Sequence, residues 1–142
     1  MKRLTKCMTA AAAVLLVTAG AASAQSLMKA EVPFAFSVGN KVMEPGTIRV
    51  RLLAGNTGSG ALIVNNYEAR HSYVVLPKSI GDVPKQWIAS GQAKLSFDCT
   101  SGVCILVRAW AGQGNAYEFY GPRTRAGEMH LTEIVMSPDK GD

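Results

Sequence analysis

The chain has 142 residues, with 15 Lys and Arg against 10 Asp and Glu, and is 48% hydrophobic and 18% charged. That length suits one domain, and the balance is too apolar for a disordered chain. No stretch after residue 24 approaches the ~18 consecutive apolar residues of a membrane-spanning helix, and no phosphate loop, dinucleotide fingerprint, metal-ligand cluster or nucleophile elbow occurs.

The first segment reads as an export signal. Lys2, Arg3 and Lys6 precede an uncharged run from Cys7 to Val17, and Ala22-Ser23-Ala24 places small residues before Gln25. This three-part layout predicts a signal peptide over residues 1–24, cleaved between Ala24 and Gln25, and a secreted or periplasmic product. Cys7 lies at the start of the apolar run rather than at the cleavage point, so no lipid anchor is expected. Three of the basic residues leave with the leader and none of the acids, so the mature chain, residues 25–142, is close to neutral. A balanced surface gives no support for nucleic-acid binding.

The mature chain alternates. Val32, Phe34, Phe36 and Val38 share one face of a strand; Gly39-Asn40 turns the chain, and Pro45-Gly46 turns it again. Ile48, Val50 and Leu52 face one way, Arg49 and Arg51 the other, which reads as a solvent face with a small cationic stripe. Ala61–Val64 and Ser72–Leu76 are short apolar runs, and Trp87 and Ile88 sit in a brief segment after Pro84. Tyr117–Tyr120 makes a short strand before Gly121-Pro122. Glu128–Met136 alternates with Met129, Leu131 and Val135 on one apolar face, while Gln25–Glu31 and Ser137–Asp142 read as frayed ends. No mature segment holds helical spacing over three turns. The expected fold is all-β, a single small antiparallel β-sandwich or partly open β-barrel of about seven to nine short strands with little helix.

Cys99 and Cys104 flank Thr100-Ser101-Gly102-Val103, between Leu95 and Phe97 on one side and Ile105-Leu106-Val107 on the other. A hairpin looping through those four residues sets the two cysteines opposite each other, near the separation a disulfide needs. The spacing is not the Cys-x-x-Cys of a redox helix, and no further Cys or His lies nearby to complete a zinc site.

The run Glu31-Val32-Pro33-Phe34-Ala35-Phe36-Ser37-Val38-Gly39-Asn40-Lys41, followed by Pro45-Gly46-Thr47, resembles the opening of a family of short, signal-peptide-bearing exported proteins of Acidobacteria-like bacteria. Lys94-Leu95-Ser96-Phe97, through Gly102 to Leu106, resembles that family's central hairpin. The matched motifs are structural, so the resemblance implies export and a β fold and no chemistry.

Catalytic constellations are thin. His130 and Glu133 would share a face on a helix, but on a strand they point apart. His71 has no partner in sequence, and Asp82, Asp98, Glu118, Glu128 and Glu133 are scattered. Tyr117, Phe119 and Tyr120 with Arg123 and Arg125 form a candidate binding patch, since rings beside guanidiniums suit a sugar or a protein partner. The expectation is a secreted, non-catalytic β domain without a cofactor, acting on a protein or glycan partner or in an envelope assembly. A small envelope hydrolase is the alternative.

Overall fold

A computed structural model describes residues 27–54, 60–100, 102–120 and 130–140. The expected leader lies outside these residues. The described residues form two sheets with no closed barrel, and one short helix.

In the first sheet the spatial order is β12 (Ser137–Pro138), β1 (Leu27–Val32), β4 (Gly46–Ala54), β5 (Gly60–Asn66) and β6 (His71–Val75). Every neighbouring pair is antiparallel. The second sheet runs β11 (Leu131–Val135), β8 (Lys94–Asp98), β9 (Cys104–Trp110), β10 (Ala116–Glu118) and β7 (Ser79–Gly81). Its margin holds β2 (Phe36–Val38), parallel to the start of β9 and paired with β3 (Lys41–Met43) across a turn at Gly39-Asn40.

Period-two alternation builds the core. Met28, Ala30 and Val32 of β1, Ile48 and Val50 of β4, and Leu62 and Val64 of β5 turn inward from the first sheet. Leu95 and Phe97 of β8, Leu106 and Ala109 of β9, and Tyr117 of β10 meet them from the second. Phe34 and Phe36 stand edge-on to Phe97, with ring centroids 5.2 and 4.9 Å away, the geometry that sets a positive ring edge against a negative face.

A smaller cluster of Trp87, Trp110, Ala116 and Val83 lies apart from this core. Trp87 belongs to α1 (Lys85–Ser90), which starts after Pro84 and stops at Gly91. Gly91 takes φ 64° and returns its N–H to the Trp87 and Ile88 carbonyls, satisfying acceptors the helix end leaves open.

Three sequence expectations are corrected. The described residues hold twelve strands rather than seven to nine, because β2, β3, β7, β10 and β12 are pieces of two or three residues. The two segments expected to fray are ordered where described: Leu27–Val32 is a full strand that stops before Pro33, which offers no N–H to a ladder, and Ser137–Pro138 pairs with that strand. Asp139 then donates its N–H to the Leu27 carbonyl at 2.8 Å and joins Arg49 at 2.8 Å. Finally, β11 is turned over. Leu131 and Val135 face out, 50% and 49% exposed, whereas Ile134 packs on the core. Met129 lies outside the described residues.

Candidate binding surface

The inward alternation of the first sheet fixes what faces out. Strand register sets Leu27, Arg51, Ile63 and Val74 in one row across the sheet, and Lys29, Arg49, Asn65 and Ser72 in the next. At the end of the second row the chain turns through Tyr67-Glu68-Ala69-Arg70 between β5 and β6.

That turn is held from beneath. Asn66, only 1% exposed, donates Nδ2 to the Glu44 carbonyl at 2.9 Å and accepts the Ala69 N–H on Oδ1 at 3.1 Å. Both halves of a buried amide are thereby satisfied, and the turn is locked to the Pro45-Gly46 corner. Arg70 closes the turn at φ 57°, the one non-glycine residue at positive φ among the described residues.

Tyr67 lies open at this corner, 65% exposed. The Arg49 guanidinium carbon sits 4.8 Å from its ring centroid, within cation–π range, and Arg49 Nε is paired with Asp139. Asn65, Tyr67, Glu68, Arg70 and Ser72 line a hollow of about 590 Å³. A second hollow of about 190 Å³ lies against Leu27, Arg49, Arg51 and Ile63, and shares Asn65 with the first. The two therefore form one trough across the outer rows of the sheet.

Of the patch expected from sequence, the three rings are described and part to different surroundings. Tyr117 and Phe119 are buried in the core, and Tyr117 donates its hydroxyl to the Leu53 carbonyl at 3.1 Å. Tyr120 alone of the three rings is open, 72% exposed. Arg123 and Arg125 lie outside the described residues. The physical reason is local: Tyr117 pairs with Ala109 and Ile80 on the core side of β10, and the N–H of Phe119 is tied to the Val107 carbonyl at 2.9 Å.

Cys99 and Cys104 are joined, their Cα atoms 4.0 Å apart at the mouth of the β8–β9 hairpin. The loop between them is further held by the buried Asp98 carboxylate, which accepts the Thr100 N–H at 3.1 Å and the Thr100 hydroxyl.

His130 and Glu133 do not converge. His130 is exposed, while Glu133 accepts the Trp87 indole N–H at 2.8 Å and lies 3.6 Å from Lys94 Nζ. Glu118 receives Arg108 at 2.9 Å and the Ser79 hydroxyl at 3.1 Å; the hydrogen bond from Arg108 above all holds its carboxyl below the usual carboxylate range. Among the described residues no group of three or more His, Cys, Asp or Glu could hold a metal ion.

Tyr67 and Arg70 were not singled out from sequence. The signal that could have found them is Tyr-x-x-Arg between two apolar runs, in a turn with neither Gly nor Pro to form it. No protein-family model, curated protein or solved structure matches the chain.

Proposed function

We propose that the chain is an exported, non-catalytic binding domain whose ligand surface is the outer face of the first sheet around Tyr67. One observation carries the reading: an aromatic ring two-thirds open to solvent, backed by a guanidinium at 4.8 Å, at the rim of a polar hollow. An exposed ring alone is ordinary, as Tyr120 shows; it is the ring, the guanidinium and the hollow together that single out Tyr67, since Tyr and Arg are enriched among the residues that carry binding energy. Export is supported by the charged start, apolar run and Ala-Ser-Ala triplet of the sequence.

The hydrolase alternative finds less support. Acid–base cleavage of a glycoside needs two carboxyl groups facing one site, and the lining of the Tyr67 hollow offers Glu68 alone. No His lines it for a serine nucleophile.

The test is an amide-shift map. Isotope-labelled protein recovered after export is titrated with the protein and polysaccharide fractions of a cell envelope. The reading expects shifts concentrated at Asn65–Ser72 and along β4, abolished by Tyr67→Ala. Shifts centred on Tyr120 with none at Tyr67 would overturn it.

A further inference from the structure

We propose that the Tyr67 trough takes an acidic oligosaccharide, a chain of carboxylate-bearing sugars, an inference that rests on the binding role above and names its ligand class. Charge comes first. Lys29, Arg49, Arg51 and Arg70 all stand on or beside the outer rows of the first sheet. Of their acidic neighbours, Glu31 accepts the Thr47 hydroxyl at 2.8 Å, Asp139 is taken by Arg49, and Glu68 shares the lining of the hollow with Arg70, one carboxylate oxygen lying 3.3 Å from where a Cβ on Gly46 would stand. Arg51 and Arg70 enter no ion pair among the described residues. The trough therefore presents two uncommitted guanidiniums, and guanidinium is the donor fork that matches a carboxylate.

Arg70 strengthens the case. A residue at φ 57° pays for its side chain in backbone energy, and glycine would hold that conformation without the cost. An arginine standing there, on the lining of the hollow, indicates that its side chain has a task.

The platform comes next. The open face of Tyr67 can take the C–H face of a sugar ring, and Asn65 and Ser72 add an amide and a hydroxyl for its hydroxyl groups. A peptide strand would instead need free backbone groups; β4 and β5 beneath the trough are paired on both sides, and only the outer edge of β6, beyond Ser72, is open to one. Strand spacing and rise place Arg51 and Arg70 on the order of 15 Å apart, so an extended oligosaccharide rather than one sugar spans both.

Calorimetric titration with hexagalacturonate tests the proposal, with neutral maltohexaose and a short polyglutamate as controls. Hexagalacturonate should bind, weakening as salt rises, with maltohexaose and polyglutamate at least about tenfold weaker. Tyr67→Ala should lose at least about tenfold in affinity. Arg70→Gly should lose as much while melting at the same temperature or higher, because glycine relieves the backbone. A purely structural role for Arg70 would leave affinity unchanged in Arg70→Gly, which overturns the proposal, as does equal or tighter binding of either control. If hexagalacturonate fails to bind while envelope fractions still shift Asn65–Ser72, the acidic-sugar assignment falls and the binding surface stands. If those shifts also lie elsewhere, both fall.

Discussion

Tyr117 and Leu53, 64 residues apart, join the two sheets: the phenol of β10 donates to a carbonyl of β4 at 3.1 Å. Burial disfavours the phenolate and raises the Tyr117 pKa. Tyr117→Phe removes this donor to the Leu53 carbonyl, costing about 1–2 kcal/mol, read as a fall of several degrees in Tm. The pH dependence has a definite sign. Below about pH 10 the phenol is protonated in folded and unfolded chains alike. Above it the unfolded chain loses its proton first, so stability is lost as pH rises toward the higher folded value. The difference in Tm between wild type and Tyr117→Phe should therefore shrink above pH 10, and a constant difference would refute the linkage.

Gly60 opens β5 at the same contact. A Cβ there would stand 2.8 Å from both the Leu53 carbonyl oxygen and the Tyr117 hydroxyl. One of those partners is backbone and the other is held by its hydrogen bond, so neither can give way cheaply. Gly60→Ala should cost about 1–3 kcal/mol, although alanine is ordinarily the milder residue in a strand. Combined with Tyr117→Phe the costs should be less than additive, because both break one contact. Denaturant melts of the two single variants and the double variant measure this directly.

The Cys99–Cys104 bond closes a loop of only a few residues, so its constraint on the unfolded chain is worth about 2 kcal/mol. Replacing both cysteines by Ala should lower stability by that amount and leave the hairpin in register, since Asp98 opposite Ile105 and Phe97 opposite Leu106 are paired by backbone and core alike. Loss of the β8–β9 amide pattern in the variant would show that the bond holds more than its own loop.

The strands that alternate over several residues were legible in sequence. Ile48, Val50 and Arg49, Arg51 part to opposite faces of β4 as their spacing requires, and Cys99 meets Cys104 because a four-residue loop leaves no other pairing. What was not legible depends on partners distant in the chain. Two- and three-residue strands exist only because a neighbour offers a ladder, as Ser137–Pro138 does beside β1. The Tyr67 surface is of this kind too. Arg49 reaches the ring because register sets it opposite Asn65, and the turn keeps its shape because Asn66 is anchored to Glu44, 22 residues away.

The phase of β11 gives a direct check of that register. Leu131 and Val135 misled the reading because an apolar residue usually marks the buried face, yet a large part of any folded surface is apolar. Leu131→Ser should change stability by no more than about 0.5 kcal/mol, while Ile134→Ala, which removes methyls packed on the core, should cost about 1–3 kcal/mol. The reverse ranking in thermal melts would restore the opposite face.

Glu118 makes the acid side of the stability curve testable. Its carboxylate accepts Arg108 and Ser79, and these donors favour the charged form, so its folded pKa lies below the ordinary value. Stability from this group is present above the unfolded carboxylate pKa of about 4.3. It is lost as pH falls from there through the lower folded value, because the unfolded chain then binds the proton first. Glu118→Gln keeps the shape and an acceptor oxygen but cannot ionise. The variant should melt below wild type at neutral pH, and the gap should close as pH falls below about 4. Because the pair is partly open to solvent, added salt should narrow the gap at neutral pH as well. Arg108 also lies 5.9 Å from the Trp87 ring centroid, so Trp87 emission should report the same acid transition. A gap that stays constant from neutral pH to the acid limb would show that Glu118 contributes packing and no charge-dependent stability.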